Sequence, residues 1–186
     1  MSKGVWITIG VVVVLALVLI SGYNSLVGLN ENVDGKWSQV ENQLQRRADL
    51  IPNLVNTVKG YAAHEQEIFT QLADARTKMA GAASVAEAFE ADQAMNSALS
   101  RLLAVVENYP TLKADANFRQ LQDELAGTEN RLATARKDYN DAVQSYNATI
   151  KRFPTNVYAG IFGFDDREYF RAEEEAKTVP NVDFSK

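Results

Sequence analysis

The chain of 186 residues has no cysteine and one histidine, His64. The missing thiols exclude a disulfide framework, a thiolate zinc site, an iron–sulfur cluster and a cysteine nucleophile, and leave redox compartment unmarked. A lone imidazole builds neither a metal site nor a nucleophile–base relay, and no second histidine follows His64-Glu65 at zinc-protease spacing. A carboxylate-bridged di-iron bundle needs Glu and His three apart on two helices, yet Tyr61 stands three before His64. No serine is followed three residues on by lysine, and Asn30 occupies the place of the first phosphate-loop glycine before Gly35-Lys36. Excess positive charge is also missing: 19 Lys and Arg face 24 Asp and Glu, a net charge of −5, so nothing draws the chain to nucleic acid. The residues therefore predict no enzyme, no catalytic, metal or cofactor site, and no nucleic-acid partner.

What is present begins with an apolar run. Charge is absent from Gly4 to Asn30, and Val5 to Ile20 is interrupted only by Thr8 and Gly10. A helix over 5–27 is long enough to cross a bilayer, since about 20 residues cover the hydrocarbon. Tyr23 follows Gly22, so no lipid-bearing cysteine exists, and cleavage after Gly22 would place bulky Ile20 where a small residue is usual. The reading is an uncleaved single-pass anchor, with a cleaved signal or a buried core helix as alternatives. Lys3 on one flank is matched by Lys36 on the other, and the free amino terminus beside Lys3 favours an inside N-terminus. The rest of the chain, carrying −6, would then lie outside the cytoplasm on a short leash.

Prolines are few, at 52, 110, 154 and 180, and the pattern between them is helical. An apolar seam runs through Val33, Trp37, Val40, Leu44, Ile51, Leu54, Val58, Tyr61, Ile68, Leu72, Ala75 and Met79, with Arg47 and Glu65 as its polar members. Gly81 to Ser84 marks a turn, and Ser84 with Glu87 forms a capping box for a second helix over about 85–107. Its seam is Val85, Ala88, Met95, Leu99, Leu102 and Val106, with Asp92 intruding, and Asn108-Tyr109-Pro110 ends it. A third helix carries Phe118, Leu121, Leu125, Thr128, Leu132, Ala135, Tyr139, Val143, Tyr146, Ile150 and Phe153 at steps of three and four, and Pro154 stops it. The prediction is all-α: a transmembrane helix followed by an elongated antiparallel bundle of four-helix type. The expected segments are a flank over 1–4, the anchor over 5–27, the bundle over 28–154, and over 155–186 a short apolar stretch with an acidic tail. From Asp165 to Lys186 seven acids face four bases, which reads as solvated. A short second helix cannot cover its long neighbours, so either the first helix bends at Pro52 and folds alongside the third, or exposed helix is left for another subunit or the membrane-proximal region. Sustained seams also favour a homo-oligomer.

Spaced motifs then make the chain resemble the LemA family: Tyr23-Asn24, Arg46-Arg47, Asp49-Leu50-Ile51-Pro52-Asn53-Leu54, Tyr61, His64-Glu65, Arg76, Asn108-Tyr109-Pro110, Thr128-Glu129-Asn130-Arg131, Arg136, Tyr139-Asn140, Tyr146-Asn147 and Phe153-Pro154. The resemblance implies a bacterial membrane protein with an all-helical bundle and no established enzymatic activity. It further implies partners in envelope quality control, such as a membrane protease or exported envelope proteins. The expected role is a non-enzymatic scaffold or adaptor, with membrane organisation by self-assembly as one alternative and a small-ligand-binding or enzymatic bundle built on carboxylates and tyrosines as the other.

Within that frame, Arg47 and Glu65 lie 18 residues apart, roughly 27 Å along a straight helix, so each needs its own partner. Glu129, Arg131 and Arg136 are the candidates. The Tyr139-Asn140 and Tyr146-Asn147 pairs, one heptad apart, read as large apolar bodies whose polar tips meet chain breaks elsewhere. Asp49, Pro52, Tyr109, Pro110 and Asn130 complete the structural or partner-binding candidates. The glycosylation pattern at Asn147-Ala148-Thr149 falls on a seam and reads as chance.

Overall fold

The computed structural model describes residues 3–62 and 64–171, and among them every regular element is a helix. Six helices follow in order: α1 (Lys3–Lys59), α2 (Gln66–Gly81), α3 (Val85–Val106), α4 (Pro110–Ala114), α5 (Ala116–Ile150) and α6 (Thr155–Phe162). Packing divides the chain into two units. One comprises the chain up to Val40 with Ala135–Glu168, the other Glu41–Thr134 with the chain from Tyr169. Helices α1 and α5 contribute to both.

In the second unit, four helical stretches alternate in direction. Arg47 of α1 meets Glu129 of α5, and Leu54 shares a groove with Gln122, so α1 and α5 run antiparallel. Arg76 of α2 reaches back to Ala48, and Arg101 of α3 to Gln71, which reverses the chain twice more. The core includes Leu44, Ile51 and Leu54 from α1, Leu72 from α2, Met95 and Leu102 from α3, and Phe118 and Leu132 from α5.

Helix α3 is capped by Ser84, though the return bond of a capping box is shifted by one residue. Glu87 N–H donates to Ser84 Oγ at 3.2 Å, satisfying an amide that a helix start leaves open, while Glu87 Oε2 accepts at 2.7 Å from the N–H of Ala83, one residue before the cap. Helix α4, absent from the expected elements, is one turn started by Pro110 at its first position, where a missing N–H costs nothing.

Three expectations change. The seam from Val33 to Met79 is two antiparallel helices, not one. Tyr61 and Ala62 N–H both donate to Val58 C=O, closing α1 with a tight turn, and α2 starts at Gln66. Tyr61 and Ile68 are one heptad apart, so the count of residues hid the turn, and Tyr61 is exposed rather than seamed. Pro52 does not break α1, which continues to Lys59. The return of α2 and α3 along residues 41–59 also answers the length mismatch that a bend at Pro52 or a further subunit was invoked to cover.

In the first unit, α1 leads from the apolar run, without a loop, into the stretch that packs on α5. Leu26, Val33 and Val40 face a core with Tyr139, Val143 and Tyr146. Lys36 bonds Asp138 at 3.3 Å, and Ser25 and Thr149 line one groove, so this pair too is antiparallel. Helix α5 stops at Ile150, short of Phe153, which is 83% exposed instead of buried on the seam. Helix α6 ends at Gly163, whose φ of 73° is left-handed, and Phe164 N–H then donates to Ala159 C=O at 3.0 Å. Of the expected solvated tail, residues 165–171 hold ordered contacts. Arg167 pairs with Asp34, and in the second unit Phe170 is buried with its ring 5.3 Å from that of Phe89. Residues 172–186 lie outside the described residues.

Candidate functional site: a buried charge network and two polar latches

The densest polar cluster lies inside the second unit. Arg47 falls on the buried face of α1, between Leu44 and Ile51, and is only 4% exposed. Its Nη1 donates to Asp92 Oδ1 of α3 at 2.9 Å and lies 2.6 Å from Glu129 Oε2 of α5, while Nη2 donates to Asn96 Oδ1 at 2.5 Å. Asn96 Nδ2 donates in turn to Asp92 Oδ2 at 3.2 Å. One guanidinium thus joins three helices through planar, charge-assisted bonds. Asp92 is 2% exposed, so desolvation makes each partner costly without the other. Beside the network, α3 and α5 leave an open groove of about 450 Å³, lined by Leu54, Leu99, Leu103 and Leu125.

At one end of the same unit, two tyrosines latch the turns. Tyr109 O–H donates to Glu65 Oε1 at 3.2 Å, and partial burial, followed by this bond, raises the phenol's pKa. Glu65 therefore sits in the α1–α2 turn, not on an inward helix face, and its partner is a phenol rather than Arg131 or Arg136. Tyr61 O–H donates to Asp115 Oδ2 at 2.9 Å, raising the phenol's pKa. Asp115 Oδ1 also accepts from Phe118 N–H at the start of α5, and that bond, then Tyr61, lowers the carboxyl's pKa.

In the first unit, the Tyr–Asn positions of α5 clasp an irregular strand of chain. Asn147 is 7% exposed, and its amide both donates to Arg167 C=O and accepts from Arg167 N–H, each at 2.8 Å. Tyr139 O–H donates to Glu168 C=O at 2.7 Å, its ring lies 5.3 Å from Trp37, and burial, reinforced by Glu168, pushes its pKa up to about 12. Tyr146 is buried, which raises its phenol's pKa as well.

The remaining candidates scatter. Asp49 is exposed and accepts from Gln45, Asn130 and Arg131 are exposed, Arg136 and Asn140 are half-buried, and Pro110 opens α4. Among the described residues, no three His, Asp or Glu side chains gather to hold a metal ion.

Sequence reasoning missed the bond that gives Pro52 a use. Proline has no N–H for the carbonyl four residues back, and that carbonyl, Ala48 O, accepts from Arg76 Nε of α2 at 3.2 Å. The signal was present: a proline inside a helical seam, and an arginine on the helix that returns beside it.

The sequence pattern of the LemA family matches residues 36–184. The chain belongs to the LemA family. The matched region includes the Arg47 network, both latches and the Asn147 clasp. Magnetosome protein MamQ 2 of Paramagnetospirillum magneticum is 34% identical over 197 aligned residues, covering 92% of this chain and 72% of that protein. Magnetosome protein MamQ of Magnetospirillum gryphiswaldense is 30% identical, covering 88% and 70%. Protein LemA of Metamycoplasma hominis is 23% identical, covering 90% and 76%. Neither LemA nor MamQ is the name of an enzyme family. Together with the apolar start of α1, these likenesses support a membrane-associated helical protein.

Proposed function

We propose that this LemA-family chain is a non-enzymatic, single-pass membrane scaffold whose helical bundle stands outside the cytoplasm. One observation carries the reading: α1 is exposed along its whole apolar run and is buried farther along in helix packing, with no loop between the two stretches. A helix apolar on every side has lipid as its solvent, while the polar network at Arg47 belongs to a fixed interior. The clusters described above support a holding role, since their bonds join one part of the chain to another. The groove beside Leu99 and Leu103 is the surface such a scaffold offers to a partner. The names of the magnetosome relatives are compatible with a role in a membrane-associated assembly.

The test uses the absence of native cysteine. Single cysteines at Ser2 and at Gln144, an exposed position on α5, are challenged with an impermeant thiol reagent on intact cells. Labelling at position 144 alone is expected. Labelling at position 2 alone places the bundle in the cytoplasm and overturns the proposed topology.

A further inference from the structure

Helix α6 has no charged residue, and two of its apolar side chains are largely exposed: Val157 at 56% and Ile161 at 73%. They lie four apart on one face; Phe162, four after Tyr158 at the end of the helix, is 54% exposed, and Phe153, in the turn before the helix begins, is 83% exposed. The opposite face, Tyr158 and Ala159, is buried. Tyr158 rests against Gly22 so closely that a Cβ there would overlap its ring. One turn of chain farther on, Tyr23 meets Phe162 edge-on at 5.0 Å and Phe164 at 5.7 Å. The uncovered row of α6 is thus fixed to the end of the apolar run of α1.

We infer that α6 is a second membrane contact, lying in the bilayer interface beside the anchor with Val157, Ile161, Phe162 and Phe153 in contact with lipid. The inference rests on reading residues 5–27 as a bilayer span. Two observations choose lipid over a second copy or another protein. First, α6 packs on Gly22 and Tyr23, directly after the exposed apolar surface of Val5–Ile20, so the medium that covers Leu19 and Ile20 lies within reach of α6 as well. Secondly, an open groove of about 520 Å³ between α1, the end of α5 and α6 changes character along its length. Val14, Leu17 and Val18 line one end, and the hydroxyls of Ser21, Ser25 and Thr149 the other, matching the passage from acyl chain to headgroup within one leaflet. Tyrosine at that level fits the aromatic preference of the interface. Lys151, near the row, is paired with Asp166 at 2.8 Å, while Arg152 beside Phe153 is exposed.

The full chain, carrying a single cysteine at Ile161 or, as a water-facing reference, at Gln144, is labelled with an environment-sensitive fluorophore and reconstituted into phosphatidylcholine vesicles. Flotation measures insertion separately. The expected result is flotation of both proteins, with blue-shifted emission at position 161 only, quenched there by lipid carrying a nitroxide high on its acyl chain and protected from aqueous iodide. Flotation with position 161 open to iodide overturns the inference and leaves the anchor reading standing. Protection at position 161 that lipid nitroxide does not quench, and that fades as protein is diluted among lipids, assigns the row to a second copy and also overturns it. Failure to float overturns both readings.

Discussion

Arg47 makes the largest single-residue commitment in the molecule, because its guanidinium meets Asp92, Asn96 and Glu129 with almost no access to water. Truncation leaves the 2%-exposed Asp92 carboxylate without its cation. Arg47→Ala is therefore expected to destabilise the fold by about 3 to 5 kcal/mol, read by chemical denaturation of the full chain in mild detergent. A loss below about 0.5 kcal/mol, the scale of an unremarkable surface change, would show that the network contributes nothing net. The arginine and Glu129 were legible as partners, since Arg47 lies on a long seam, a buried charge demands an opposite one, and Glu129 stands beside the seam of another long helix. Asp92 showed only as an intruder in an apolar pattern, and nothing in one sequence says which helix faces it. Tyr139 supplies a pH dependence. Its phenol ionises near pH 12 in the folded chain against an ordinary value near 10, so the folded state favours the proton. That stabilisation is complete below pH 10 and is lost as pH rises from 10 through 12. Tyr139→Phe, which keeps the ring and removes the ionisation, is expected to flatten the alkaline fall in stability over that window, with a residual slope from Tyr146.

Elements are held by a different device, the carbonyl that Pro52 leaves open. In an uninterrupted helix Ala48 C=O would be taken by residue 52, and Arg76 of α2 takes it instead. Pro52→Ala returns an N–H to compete for that oxygen. The two substitutions Pro52→Ala and Arg76→Ala are expected to be non-additive, with a coupling of about 0.5 to 1.5 kcal/mol in a double-mutant cycle. Strict additivity would mean that the proline and the arginine act separately. Periodicity located the helices well where a cap or a proline spoke for the boundary, as at Ser84 and Tyr109. It failed where the turn itself measured a heptad, between Tyr61 and Ile68, because a count of residues carries no direction. It also overran at Phe153, where the three-and-four spacing continues past the last helical residue. Charge composition misled in the same way over residues 165–171, whose ordered contacts include backbone groups of Arg167 and Glu168, the ion pairs of Asp166 and Arg167, and a buried ring, Phe170.

For the molecule as a whole, the apolar start of α1 decides where the protein resides. None of its most apolar 18-residue stretch is covered by protein, so in water it would expose a patch far beyond what a soluble monomer tolerates. The full chain is expected to remain in the pellet when membranes are washed at alkaline pH, a treatment that strips proteins held only by charge. Leu15→Lys combined with Leu17→Lys, at two exposed positions, is expected to release it, since each central lysine costs about 2.5 to 3.5 kcal/mol in a spanning helix. Continued retention of the double variant would assign attachment to another surface.

The close approach of Tyr158 to Gly22 bears on how long the bundle stays where it is made. Proteases cut chain that can be drawn out straight, and helical backbone reaches that form only by local unwinding. Residues 20–23 are helical, and α6 is packed against them through Tyr158 and Phe162. Release of the bundle by a cut at this level would first have to unwind α1 and lift α6 away, so cleavage at this level waits on local unfolding.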